Sequence, residues 1–290
     1  MMIRPTQIAA LALAALAFSA RADDPPADAD PAAAKALFEK AKAHFHARED
    51  AEFVAAIAKA IEADPKNSEA YAFRAAYLES QGEYGKAIAD HTKLIELHPS
   101  SVGLVQKRAV ARFFDAQIAA SVEDFDKVVE MEPKGMPYNW QRGIALYYAG
   151  RYDDARKQFE DHQTVNPHDV ENAAWHFLST ARAADAEVAK KSLIDITGDE
   201  RVPMAEVQEM FGGTKAPEEV VKRAMAAESE AELRNQLCYA HLYIGLYFEA
   251  TGDAENATVH IKKAATEFKM DHYMGRVAQV HLKVLEGKAK

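Results

Sequence analysis

The sequence predicts an all-α chain, an α-solenoid of about five to six stacked helix-turn-helix units closed by an amphipathic C-terminal helix. Three observations carry the prediction. Four segments end alike, in "AIEADP", "LIELHP", "VVEMEP" and "HQTVNP", and their prolines (Pro65, Pro99, Pro133, Pro167) stand 34 residues apart at every step. Fixed self-similarity of this length marks a repeat architecture. Gly and Pro are scarce, at 13 and 11 of 290 residues, while Ala and Glu are plentiful, a composition that favours helix. Within the second to fourth periods small residues recur at two positions flanking a turn, as two helices crossing closely require.

The elements follow in order. Residues 1–22 read as an export signal: Arg4 precedes an apolar run from Ile8 to Phe18, and Ala20-Arg21-Ala22 supplies small residues before a cleavage site at Asp23. The run is too short for a comfortable transmembrane helix, so no membrane insertion is expected after cleavage. The expected location is therefore periplasmic or secreted. The single cysteine, Cys238, forms no intramolecular disulfide and lies far from the cleavage site, so no lipid attachment is expected there. Residues 23–33, acidic and proline-rich, read as a disordered lead-in.

Four regular units are expected over 34–169. In the second, Tyr71, Ala75 and Leu78 share one helix face and Gly82 ends that helix. Tyr84, Ala87, His91 and Leu94 line the next helix before Pro99 stops the unit. The fourth repeats the offsets with Gly143, Leu146, Gly150, Tyr152, Ala155, Phe159 and Pro167. The first has Phe53 where a small residue is expected and Arg48 at the turn. The third has Ala109 and Ser121 as the small residues, with Ala116 at the turn. Residues 170–237 read as a degenerate repeat with an irregular helical insert, broken around Gly212–Gly213 and Pro217. A last repeat is expected over 238–270, with Gly245 and Ala257 flanking Gly252 and Cys238 near the helix start. A capping helix follows over 271–290.

These residues resemble the tetratricopeptide repeat (TPR) family, whose period is 34. The resemblance covers most of the chain beyond the signal and implies a right-handed superhelix with a concave groove lined by the first helix of each repeat. Carrying over the family's groove positions gives Gln106, Val110, Phe113 and Phe114 from the third repeat, and Trp140, Ile144, Tyr147 and Tyr148 from the fourth. Five aromatics on two adjacent repeats suit a peptide or partner helix, because aromatic rings combine apolar area with few rotors. The competing reading makes Phe113 and Tyr147 packing residues between repeats. Cations that grip a C-terminal carboxylate in some family members are absent: the matching positions are Ala72 and Ala76, Gln106 and Val110, Trp140 and Ile144.

A narrower resemblance runs through "NWQRGIALYYAGRYDDARKQF" and "YIGLYFEATGDAENA" to the NlpI lipoproteins of Gram-negative bacteria. It implies a periplasmic adaptor that brings cell-wall hydrolases to a protease. The lipid-bearing cysteine of those proteins has no counterpart, so outer-membrane anchoring is not implied.

Other chemistries find less in the sequence. A net charge of −10, or −12 once Arg4 and Arg21 leave with the signal, argues against nucleic acid as a partner. The chain carries no phosphate-binding glycine loop, nucleophile elbow or HExxH motif, and neither catalytic residues nor a cofactor are expected. Cys238 and His241, with His272 or His281, leave a metal cluster open as an alternative to packing. Asn256-Ala-Thr258 matches a glycosylation acceptor on an expected helix. The expectation is a noncatalytic adaptor binding a protein or extended peptide in its groove, with a self-associating homodimer as the alternative.

Overall fold

The computed structural model describes residues 30–287, so the segment read as an export signal lies outside the described residues. The described residues form helices joined by turns, with no strand among them. No described helix is long and apolar enough to cross a membrane. Two compact units divide at Pro65.

The first unit is a helix hairpin, α1 (Pro31–Ala47) and α2 (Asp50–Ala63). Asp30 caps α1 by accepting from the amides of Ala32 and Ala33 at 3.1 and 2.9 Å, so the helix takes up the last three residues of the expected lead-in. The Asp30 amide donates to the Ala63 carbonyl at 2.9 Å, which ties the start of α1 to the end of α2. Phe53, large where a small residue is expected, is fully buried and packs edge-on against Phe45 at 5.7 Å.

The second unit continues the hairpins with α3 (Ser68–Ser80) and α4 (Tyr84–Leu97), α5 (Val102–Phe114) and α6 (Ile118–Met131), then α7 (Trp140–Tyr148) and α8 (Tyr152–Gln163). The repeat is visible in the backbone itself. Arg48, Gly82, Ala116 and Gly150, each 34 residues after the last, have φ of 59°, 73°, 62° and 74°. That left-handed conformation lets a chain leave one helix and enter the next, at a cost of about 1 kcal/mol for a residue with a Cβ. Glycine is therefore the favoured choice, and Arg48 and Ala116 adopt the conformation without it. Ala184, next in the series, has φ −128° instead, and the regular hairpins end there.

A close helix crossing explains Gly143. A Cβ there would lie 2.6 Å from the Phe159 ring, so α7 and α8 meet at their observed distance only with glycine. A second recurring device joins the helices of each hairpin. Arg74 donates to both oxygens of Asp90 at 2.8 and 2.6 Å, and Arg108 does the same to Asp124 at 2.9 and 2.8 Å. Arg142, one period on, donates to Gln158 Oε1 at 3.1 Å. Both aspartates are buried, so the guanidinium satisfies charge that would otherwise be costly to bury.

After α8 the hairpins give way to α9 (Val170–Ala183), and past Ala184 come three short helices, α10 (Ala186–Lys191), α11 (Met204–Gly212) and α12 (Pro217–Ala224). Helix α9 is buried along almost its whole length, with Trp175, Phe177 and Leu178 at 0–1% exposure. A long helix, α13 (Glu230–Ala250), then pairs with α14 (Ala254–Lys262). It begins two turns before Cys238, because Ser229 and Glu232 form a capping box: the Glu232 amide donates to Ser229 Oγ, and the Ser229 amide to the Glu232 carboxylate. Cys238 consequently lies inside the helix and is fully buried. A π-helical turn over Lys263–Glu267 leads to α15 (Tyr273–Leu285).

Candidate functional site

Helix α15 packs on the helices that the sequence assigns to the groove. Its first residue, Tyr273, meets Trp140 at 4.7 Å between ring centroids, Phe114 at 5.0 Å, and Phe113 in a stacked pair at 6.3 Å. Further along, Arg276 lies over the Tyr84 ring, His281 Nδ1 and the Tyr148 hydroxyl share a hydrogen bond of 2.8 Å, and Lys283 donates to the Phe114 carbonyl at 3.1 Å. Phe113, Ile144 and Tyr147 are buried. Gln106, Val110, Phe114, Trp140 and Tyr148 are half-buried, with Gln106 donating to Gln141 at 3.1 Å. Helix α15 meets Phe113, and Tyr147 sits between Tyr152 and Trp175.

Beyond the N-terminal end of α15 the aromatic face opens into a cavity of about 340 Å³. Trp140 from α7, Trp175 from α9, Tyr239 from α13 and Tyr273 from α15 contribute its aromatic walls. These are residues from four helices spread over more than a hundred positions, so no local sequence pattern marks them as a set. Trp140 is the one that the groove positions had named. Both tryptophans of the chain line this cavity.

One wall is ionic. Arg201 donates to Asp199, to Glu171 through Nη1 at 2.5 Å, and to Asp169 through Nη2. Its side chain is 48% exposed and carries the wall to the surface. Glu171, in the first turn of α9, is buried and also accepts from the Tyr243 hydroxyl at 2.9 Å. Burial pushes the Glu171 carboxyl up to about 7 against the pull of Arg201. Asp199 moves the other way, held below the usual carboxylate range by Arg201 and by the backbone amides of Val170 and Arg201.

A stability consequence follows from Glu171. The folded chain keeps this proton to about pH 7 while the unfolded chain releases it near 4.5, so the contribution is full below 4.5 and is lost as pH rises through 7. The loss between pH 4.5 and 8 amounts to about 3 kcal/mol. Urea unfolding of the wild type and Glu171→Gln at pH 5 and pH 8 checks it: the variant loses less stability over that interval. Equal losses in both proteins would remove Glu171 as the cause.

The side chains left open as a metal cluster have separate partners. Cys238 Sγ faces the Ala264 carbonyl at 3.8 Å, and burial pushes its thiol up to about 12. His241 pairs with His260, Nδ1 to Nδ1 at 2.9 Å, and burial brings it down to about 4. His272 stacks on Tyr239, and His281 bonds Tyr148.

No protein-family model matches the chain, and no curated protein matches it. Solved structures do. A tetratricopeptide repeat protein from Parabacteroides merdae aligns over 88% of this chain and 99% of its own, at 15% identity and a TM-score of 0.55. The fold is that of a TPR protein. The MamA protein aligns over 55% of this chain and 87% of its own, at 16% identity and a TM-score of 0.49. YrrB, described as a TPR protein with an unusual peptide-binding site, aligns over 77% and 97%, at 16% identity and a TM-score of 0.41. The narrower likeness to NlpI adaptors gains nothing from these comparisons. In TPR terms, α3, α5 and α7 are first helices of their repeats, and α15 packs on residues of α5 and α7.

Proposed function

We propose that this chain is an exported, noncatalytic TPR scaffold that holds a protein or extended-peptide partner, as an adaptor does. Its contact is centred on the Trp140–Trp175 cavity, since α15 takes up much of the adjoining face. The cavity is the observation that carries the reading: aromatic walls and an ionic wall reaching the surface are what anchors a partner's side chain. A rigid repeat array leaves the ordering cost to the ligand.

The one strongly perturbed carboxyl at this cavity supports binding over catalysis. Both Glu171 oxygens already accept from protein donors, Arg201 and Tyr243, so the group is fixed as part of a wall. Export rests on residues 1–22, whose Arg4, apolar run and Ala20-Arg21-Ala22 fit a cleaved signal delivering the chain to the periplasm or outside the cell.

The test is affinity capture from the exported fraction of the source cells, with wild type and Trp140→Ala as baits of matched thermal stability. A protein held by the wild type and lost on the variant supports the scaffold. If both baits recover only this chain, the scaffold reading fails and the homodimer takes its place.

A further inference from the structure

Helix α15 also walls a second cavity, of about 400 Å³, at the C-terminal ends of α3 and α5. Arg276, Gln279 and Lys283, spaced three and four residues apart on one face of α15, line it together with Lys269 and Asp271 from the preceding turn. Its walls are chiefly polar, and it shares no lining residue with the Trp140–Trp175 cavity.

The charge of this cavity is opposite to that of the chain. Its lining holds three cations against one carboxylate, a surplus of two positive charges in a chain of net charge −10. Tyr84, also in the lining, is neutral, since burial pushes its hydroxyl up to about 12. Glu79, whose charge reaches Tyr84, shares a hydrogen bond of 2.8 Å with His91 Nε2, and Asp115 accepts from Gln117 at 2.7 Å. Neither carboxylate lines the cavity. The ends of α3 and α5 add partial negative charge, about half an elementary charge each, and still leave the cavity positive.

The cations keep donors to offer. Arg276 is held in place, with its guanidinium 5.3 Å from the Tyr84 ring centroid and Nη2 3.2 Å from Asp271. Asp271 is 80% exposed, so water and salt weaken its grip on a guanidinium that is 13% exposed. Lys283 uses one N–H on the Phe114 carbonyl at 3.1 Å and keeps two. Lys269 is exposed and has no ion pair among the described residues. An oxyanion has acceptors on every side, which matches cations that only donate. With two charges it gains from each of them about twice what a singly charged anion gains.

We propose that this cavity binds a doubly charged oxyanion of the phosphate class, either the free ion or a phosphoryl group on a small carrier. The site goes beyond the scaffold reading and stands without it.

Titration calorimetry of the wild-type chain at pH 8 and constant ionic strength tests it with three probes: inorganic phosphate, glycerol phosphate and methanesulfonate. Both phosphates are doubly charged at that pH, while methanesulfonate has the same tetrahedral shape and a single charge. Phosphate is expected to saturate at about millimolar concentration and to bind about fivefold tighter than methanesulfonate. Methanesulfonate binding as tightly as phosphate overturns the assignment, as does no saturable binding of either phosphate.

Two variants place the binding. Lys269→Gln removes an exposed cation that holds no ion pair, so the fold is not at stake, and it is expected to weaken phosphate about threefold. Lys157→Gln removes the same charge from α8, outside the lining, and is expected to leave the affinity unchanged. Equal effects from the two would make the binding a response to net charge and overturn the site. The ester identifies the source: glycerol phosphate binding tighter than inorganic phosphate assigns a carried phosphoryl group, and binding no tighter assigns the free ion. Partner capture with the Trp140→Ala bait is a separate readout, since the two cavities share no lining residue.

Discussion

Phe113→Ala is expected to lower the unfolding free energy by about 3–5 kcal/mol, the range for truncating a fully buried phenylalanine. By its repeat position Phe113 belongs to an open groove, where truncation would cost little. In the structure it has 0% exposure and lies among Tyr148, Phe114 and Tyr273, with ring centroids 5.4 to 6.3 Å away. Removing the ring leaves a cavity between α5 and α15 that neither helix can collapse into freely. Urea unfolding measures the effect, and a loss under about 1 kcal/mol would mean that α15 does not hold this position in solution.

Gly275→Ala is expected to loosen α15 as a whole. A Cβ at Gly275 would run into the carbonyl oxygen of Met270 and lie 2.8 Å from Met270 Cβ. Backbone cannot turn aside as a side chain does, so the start of α15 must shift. The expected cost is about 1–3 kcal/mol, as for other overpacked sites. The shift also carries Tyr273 off Trp140 and moves the His272 ring, so tryptophan emission should shift to the red and amides of 273–285 should exchange faster. Unchanged emission and exchange would show that the turn before α15 absorbs the methyl group, and that α15 is not held by this contact.

Much of the fold is legible in the sequence because a TPR hairpin is a local object. Residues 34 apart see the same neighbours, so Gly82 and Gly150 mark their turns and Gly143 marks its crossing without knowledge of the rest of the chain. The recurring Arg74, Arg108 and Arg142 belong to the same period but are hard to read from sequence, because arginine on a helix is usually solvent-facing and its buried Asp or Gln partner lies 16 residues on. Cys238 shows the converse. A start at the repeat boundary was expected, but the Ser229 capping box begins the helix earlier and carries the cysteine inside.

The candidate site was legible only in part. Repeat positions picked out the aromatic residues of α5 and α7, including Trp140, but could not say which of them another part of the chain would cover.

By itself the sequence determined the helices, their period and the all-α fold, since spacing, turn residues and small crossing residues act over one hairpin at a time. Only the tertiary structure decided where α15 lies, through contacts such as Tyr148 with His281 and Lys283 with Phe114, 133 and 169 residues apart. The same holds for the cavity, whose walls come from α7, α8, α9, α13, α15 and the segment bearing Arg201. Contacts of that range follow from which surfaces remain to be buried once the hairpins have stacked, and no periodic pattern encodes them.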